Sequence, residues 1–195
     1  MSMSLPRAQV VSARVLGDVI PGGLARDVTL VVGGAALTAV AAQVAIPLPF
    51  TPVPLTLQTF AVLLVGASLG TVRGLASILL YLAVGAAGAP IFSEGSSGTG
   101  SASFGYVVGF VLAAGLVGLL AERGATRSPL ATAGVMVVGN VVVYAVGVPW
   151  LMHAAHLGLA KGLALGLAPF VIGDLIKVAV AAGVLPIAWR LLGRR

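Results

Sequence analysis

Beyond residue 27 this chain is a succession of long apolar runs in which charge is almost absent. A helix that crosses about 30 Å of hydrocarbon needs about 20 predominantly apolar residues, at about 1.5 Å each. Six stretches approach that length, at 28–46, 55–69, 72–91, 105–121, 130–151 and 162–189. Lys, Arg, Asp and Glu make up 8% of the 195 residues, against about a quarter of a soluble domain. A soluble globule of this length could not cover its surface with so little charge. That excludes a cytoplasmic enzyme, a DNA-binding domain and a disordered tail. The fold expected is an all-α integral membrane protein, with six transmembrane helices in one bundle. The second stretch is short and borders a proline-rich segment, so it is expected to tilt or to begin inside the protein.

Residues 1–27 are different. Arg7, Arg14, Asp18, Arg26 and Asp27 interrupt every window, leaving neither a span nor a signal-peptide core. They are read as a cytoplasmic N-terminal extension, and 28–195 as one transmembrane domain. The arginines set the orientation, because cytoplasmic loops are enriched in Lys and Arg. Arg73 lies between stretches two and three, Arg123 and Arg127 lie between four and five, and Arg190, Arg194 and Arg195 close the chain. All nine arginines share one side if both termini are cytoplasmic. The opposite loops hold Glu94, His153, His156 and Lys161. The net charge of +6 is therefore a topology signal, and no nucleic-acid partner is expected.

Helices in lipid associate through close packing, which favours small residues four apart. Gly66, Gly70 and Gly74 form one such series, Gly105 and Gly109 a second, and Gly158, Gly162 and Gly166 a third. Internal packing is the expectation for these. Ala35 and Ala39 make a similar ridge in the first stretch, and this one is the candidate for docking a partner helix.

Two charged residues lie well inside an apolar stretch, Asp174 and Lys177 in Val-Ile-Gly-Asp-Leu-Ile-Lys. Such a side chain at mid-membrane costs about 2.5–3.5 kcal/mol on insertion scales. Spaced i and i+3 they share a helix face and partly neutralise each other. They must face the protein interior or a cavity. Asp174 precedes Arg190 by 16 residues, so it sits about 24 Å from the cytoplasmic end, in the outer half of the membrane. A site there opens outward, with Asp174 accepting hydrogen bonds and Lys177 donating them. Pro47, Pro49, Pro52 and Pro54 impose an extended segment that leads into Thr56, Gln58 and Thr59. Tyr81, Tyr106 and Asn140 are further polar candidates within the spans.

Enzyme-like patterns fail on context. Gly66-Ala-Ser-Leu-Gly70 matches a nucleophile elbow, but it lies at a membrane helix end instead of a strand–turn–helix. His153 and His156 lack a third ligand, so no metal site is expected. No phosphate-binding loop surrounds Lys161 or Lys177, and the absence of cysteine excludes thiol chemistry. No catalytic residue is assigned, and no cofactor is expected on this chain.

The sequence AQVAIPLPFTPVPLTLQT at 42–59 closely resembles the hallmark of the BioY family, the substrate-binding S components of energy-coupling-factor (ECF) biotin transporters. GDLIK at 173–177 resembles that family's sixth-helix motif, and GAAGAPIF at 85–92 the end of its third span. SASFGY at 101–106 departs from the usual Gly-Pro-Thr-Gly-Gly-Tyr, with Gly105 and Tyr106 matching. The resemblance implies a multi-pass plasma-membrane protein that captures biotin from outside. It implies docking to a coupling membrane subunit with two ATP-binding cassette ATPases, which hydrolyse the ATP, through the Ala35/Ala39 ridge. A homo-oligomer is the arrangement open to it where it works alone. Asp174, Lys177, Gln58, Thr56, Tyr81, Tyr106 and Asn140 are the substrate-binding candidates, with Asp174 and Lys177 at the ureido ring. The alternative reading is a self-sufficient secondary carrier for a small vitamin-like anion, with Asp174 as a proton relay. Six spans without visible inverted repeats are few for alternating access.

Overall fold

A computed structural model describes residues 14–192. Arg7, Arg194 and Arg195 lie outside the described residues. The chain forms helices α1 (Leu24–Gln43), α2 (Gln58–Ala86), α3 (Phe104–Glu122), α4 (Pro129–Ala154), α5 (Leu159–Gly166) and α6 (Val171–Leu192). Short strands β1 (Ala45–Ile46) and β2 (Leu55–Thr56) pair antiparallel, Ala45 opposite Thr56 and Ile46 opposite Leu55. The four prolines thus lie in a loop pinned at its base, where a missing N–H costs no ladder bond. Among the described residues, five helical segments are long and apolar enough to cross a membrane, α5 and α6 counting as one.

α2 spans 29 residues without an intervening loop, and so joins two of the expected stretches. It is not straight. Gly70 has φ +82° and ψ −176°, a region essentially closed to residues with a Cβ. Gln58 and Tyr81 would be about 35 Å apart on a straight helix, yet Gln58 Nε2 donates to Tyr81 Oη at 2.6 Å. A Cβ placed on Gly74 would meet Gly66 Cα at 3.1 Å. The helix therefore doubles back at Gly70, and its arms, 58–69 and 71–86, run antiparallel. Glu122 Oε1 accepts from Thr71 N at 2.7 Å, capping the second arm where it starts.

The helices pack in the order α1, α2, α3, α4, α6. α3 is central, with 67% of its apolar window buried against 17% for α1. Small residues create the close approaches, as close packing of helices in lipid requires. A Cβ on Gly66 would sit 2.6 Å from the Ala114 carbonyl oxygen, and one on Gly118 2.5 Å from the Gly70 carbonyl carbon. In the third series Gly162 and Gly166 pack on Met152 and on Tyr106 and Leu151, whereas Gly158 has open space around it. The sixth stretch is divided. Pro169 lacks an N–H and biases Ala168 away from α-helix, so α5 stops and a 3-10 turn, Ala168–Phe170, leads into α6.

Residues 14–23, ahead of α1, pack on the bundle. Leu16–Val19 is a 3-10 turn, Val15 is 2% exposed, and Arg73 at the α2 reversal donates to Asp18. α1 starts at Leu24, four residues ahead of the expected span. Arg26 and Asp27 in its first turn pair at 2.7 Å, and Asp27 lies 3.8 Å from Arg73 Nε, so their charges balance locally. Arg127 stacks over Trp189 near the same end, 4.9 Å from the ring centroid.

Candidate ligand-binding site

At the opposite end from the α2 reversal, α2, α3, α4 and α6 surround a cavity of about 560 Å³, open mouth included, within the range typical of small-molecule sites. Asp174 and Lys177 line it. Lys177 Nζ donates to Asp174 Oδ1 at 3.0 Å and to Thr59 Oγ1 at 2.8 Å. Tyr144 donates its hydroxyl hydrogen to Asp174 Oδ2. Asp174 is 6% exposed, so the pair is withdrawn from lipid but adjoins an open space.

This arrangement leaves bonding capacity. A carboxylate offers about four lone-pair sites and an ammonium three hydrogens. Two of Asp174's sites and two of Lys177's hydrogens are engaged. Acceptors and a donor remain side by side, which suits a compact ligand group that carries both N–H and C=O. Val107, Phe110 and Phe170 supply apolar wall.

Of the other expected site residues, Gln58, Thr56 and Tyr106 line the cavity. Thr56 Oγ1 also accepts from Gln58 N at 3.3 Å, at the start of α2. Tyr106 donates to the Gly166 carbonyl at 2.7 Å, its ring seated where Gly147 has no side chain. Tyr81 does not line the cavity. It accepts from Gln58 and donates to the Ile91 carbonyl at 3.2 Å, and so supports the wall from behind. Asn140 is also displaced from it: with Lys177, Phe60 and Met136 it borders a second void of about 170 Å³, and its Oδ1 has no partner among the described residues. Ala35 is 8% exposed and belongs to this chain's own core, with Ala39 half-buried against it. That ridge faces inward, because Gly34 beside it abuts Val65 and Ser77 on the two arms of α2. The apolar residues that α1 exposes are others, among them Val32, Leu37 and Val40.

Tyr144 and the loop residues Phe92, Ser93, Ser101 and Ser103, none of them among the candidates that the sequence offers, also line the cavity. Tyr144 carried a signal, since all three tyrosines fall inside apolar stretches. The serines carried none, because the low-complexity Gly-Ser run at 94–103, with Ser93 at its edge, reads from composition as a flexible outer loop. Here it is held in place: Trp150 Nε1 donates to the Ser101 carbonyl at 3.1 Å, and Gln43 Nε2 to the Phe92 carbonyl at 3.1 Å.

The BioY family model matches residues 8–194. A probable biotin transporter BioY of Pyrococcus horikoshii is 38% identical over 160 residues, covering 80% of this chain and 92% of that protein. The biotin transporter BioY of Thermotoga maritima is 39% identical over 150 residues, covering 75% and 86%. The crystal structure of an S-component for biotin from an ECF-type ABC transporter superposes with a TM-score of 0.75 at 26% identity, covering 86% of this chain and 90% of that one. An all-helical bundle of apolar helices, the proline loop and matches of this extent together make the chain a member of the BioY family.

Proposed function

We propose that this chain is a biotin-binding S component, which captures biotin at the outer face of the plasma membrane and delivers it inward with an ECF module. The observation that carries this reading is the Asp174–Lys177 pair, buried from lipid yet bordering an open cavity with hydrogen-bonding capacity to spare. Biotin's ureido ring has two N–H donors and a carbonyl acceptor, which match the free acceptor sites of Asp174 and the third hydrogen of Lys177. The thiolane ring and aliphatic chain suit the apolar wall. Names and function of the relatives point the same way.

The finer topology follows from the same reading. The reversal at Gly70 makes two crossings of α2 and six in all, so both termini lie on one side. Arg26, Arg73 and Arg127 gather at that end, which supports a cytoplasmic assignment, and the cavity then opens outward. The chain binds no nucleotide in this scheme. A coupling membrane subunit and two ATPases supply the energy, and the protein itself is no enzyme.

Equilibrium binding of radiolabelled biotin to purified protein in nanodiscs tests this. Asp174→Asn and Lys177→Met are each expected to weaken binding on the order of 100-fold, as loss of charge-assisted hydrogen bonds implies. The D174N/K177M double variant leaves no uncompensated buried charge, so it separates loss of ligand groups from loss of fold. Unchanged affinity in all three overturns the reading. Uptake into liposomes by this chain alone, driven by a pH gradient and indifferent to ATP, would favour a secondary carrier instead.

A further inference from the structure

Three serine hydroxyls on the cavity wall take no part in the Asp174–Lys177 chemistry. Ser103 occupies the N-cap of α3, where a serine ordinarily accepts from a first-turn N–H and stabilises the helix. It makes no such bond. Its hydroxyl instead meets that of Ser101 at 3.2 Å, and both residues line the cavity. Ser93 lines the same cavity and is 9% exposed. Among the described residues its hydroxyl meets no hydrogen-bond partner; the bonds at Ser93 are the two its carbonyl accepts from Ser96, N at 3.1 Å and Oγ at 2.7 Å.

α4 supplies the spacing between the two polar regions. Tyr144 donates to Asp174, and Trp150, six residues further along the same helix, donates to the Ser101 carbonyl. Those levels are about 9 Å apart along the helix axis, with the serines nearer the helix end. Asp174 and Lys177 are the charged residues that line the cavity among the described residues, and they neutralise each other at 3.0 Å. A ligand whose head occupies that pair and whose other end is a carboxylate therefore meets hydroxyl donors there and no cation. A carboxylate accepts readily from hydroxyls, and near the mouth it keeps part of its hydration.

We propose that Ser93, Ser101 and Ser103 form a charge-free subsite for the carboxylate tail of a ligand whose head is held by Asp174 and Lys177. This rests on the biotin reading above and adds the orientation of the ligand and the residues that select for its tail.

The experiment compares two ligands, biotin and its bicyclic ureido–thiolane core without the valerate chain, by calorimetry or competition on the full-length protein in nanodiscs. S101A/S103A and, separately, S93A are the variants. The expected result is biotin binding weakened on the order of tenfold in S101A/S103A and severalfold in S93A, with binding of the core changed less than about twofold. Because Ser103 makes no cap bond, the melting temperature should hold in both variants. Equal loss for both ligands means that the serines meet the head or support the fold, and it overturns the subsite. Unchanged biotin binding in both variants overturns it as well. Wild-type protein that binds neither ligand refutes the biotin reading itself, which is a separable outcome because it precedes any substitution.

Discussion

Asp174 is held by two neighbours of different kinds, an ammonium on its own helix and a phenol from α4. Tyr144→Phe removes the phenol hydrogen and little else. It should lower biotin affinity by about tenfold and cost about 1–3 kcal/mol of stability, because a buried carboxylate oxygen loses its donor. Binding and thermal melting of the same sample check both parts, and a variant that matches wild type in each would show Tyr144 to be spectator packing. Thr59→Val tests the other partner: Lys177 loses an acceptor at 2.8 Å, and affinity should fall about three- to tenfold with Asp174 still in place. At this scale much was legible. A carboxylate and an ammonium in an apolar span announce themselves by cost, Gln58 and Thr56 followed from the proline segment that leads into the second stretch, and Tyr106 from being a polar group within a span. Tyr81 and Asn140 lie in the same spans but look elsewhere, since depth along a helix says nothing about which neighbour its face will meet.

Among the elements, α2 shows how one residue decides a topology. The two arms touch through Gly66 and Gly74, and Gly118 of α3 packs against the backbone at the reversal. Gly70→Ala should destabilise the protein by about 1–3 kcal/mol, since its backbone conformation excludes a Cβ, which would in addition lie 2.6 Å from Glu122 Oε1. Thermal unfolding in detergent reads this, and a melting temperature unchanged from wild type would mean that the reversal tolerates another conformation. The spacing of glycines in the sequence pointed to close packing here. It did not distinguish a helix that packs on another from a helix that packs on itself. Ala35 and Ala39 illustrate the same ambiguity, because a small-residue ridge is equally suited to the protein's own core and to a partner.

For the whole molecule, the end remote from the cavity is closed by charge. Asp18 receives Arg73 and the backbone N–H groups of Arg14 and Val15, at 3.1 and 3.2 Å. Burial alone would raise its pKa, but the guanidinium and the amide donors outweigh that and hold it below its ordinary value of 3.8. A carboxyl with a depressed folded-state pKa stabilises fully above the unfolded value and loses that contribution as pH falls through the folded one. Acid below about pH 4 should therefore loosen the N-terminal turn from the α2 reversal. Melting temperatures recorded against pH should show a steeper acid decline for wild type than for Asp18→Asn. Coincident curves would mean that Asp18 carries no such linkage.

What the sequence by itself determined was what hydropathy, charge and motif encode: an apolar helical bundle, a costly ion pair that had to face inward, a proline-rich segment at the rim, and the BioY family. These are properties of local stretches, and each has a local physical cost or gain. Tertiary structure alone decided that the break between the second and third apolar stretches is a reversal within one continuous helix at Gly70, that Tyr144 completes the Asp174 site and that the serines of a low-complexity loop reach the cavity. It also turned Ala35 inward and set Asn140 in a separate void. The physical reason is common to all of these. A helix in lipid gains nothing from hydrophobic exclusion when it chooses a neighbour, so which faces meet is settled by shape and hydrogen bonding between segments distant in sequence.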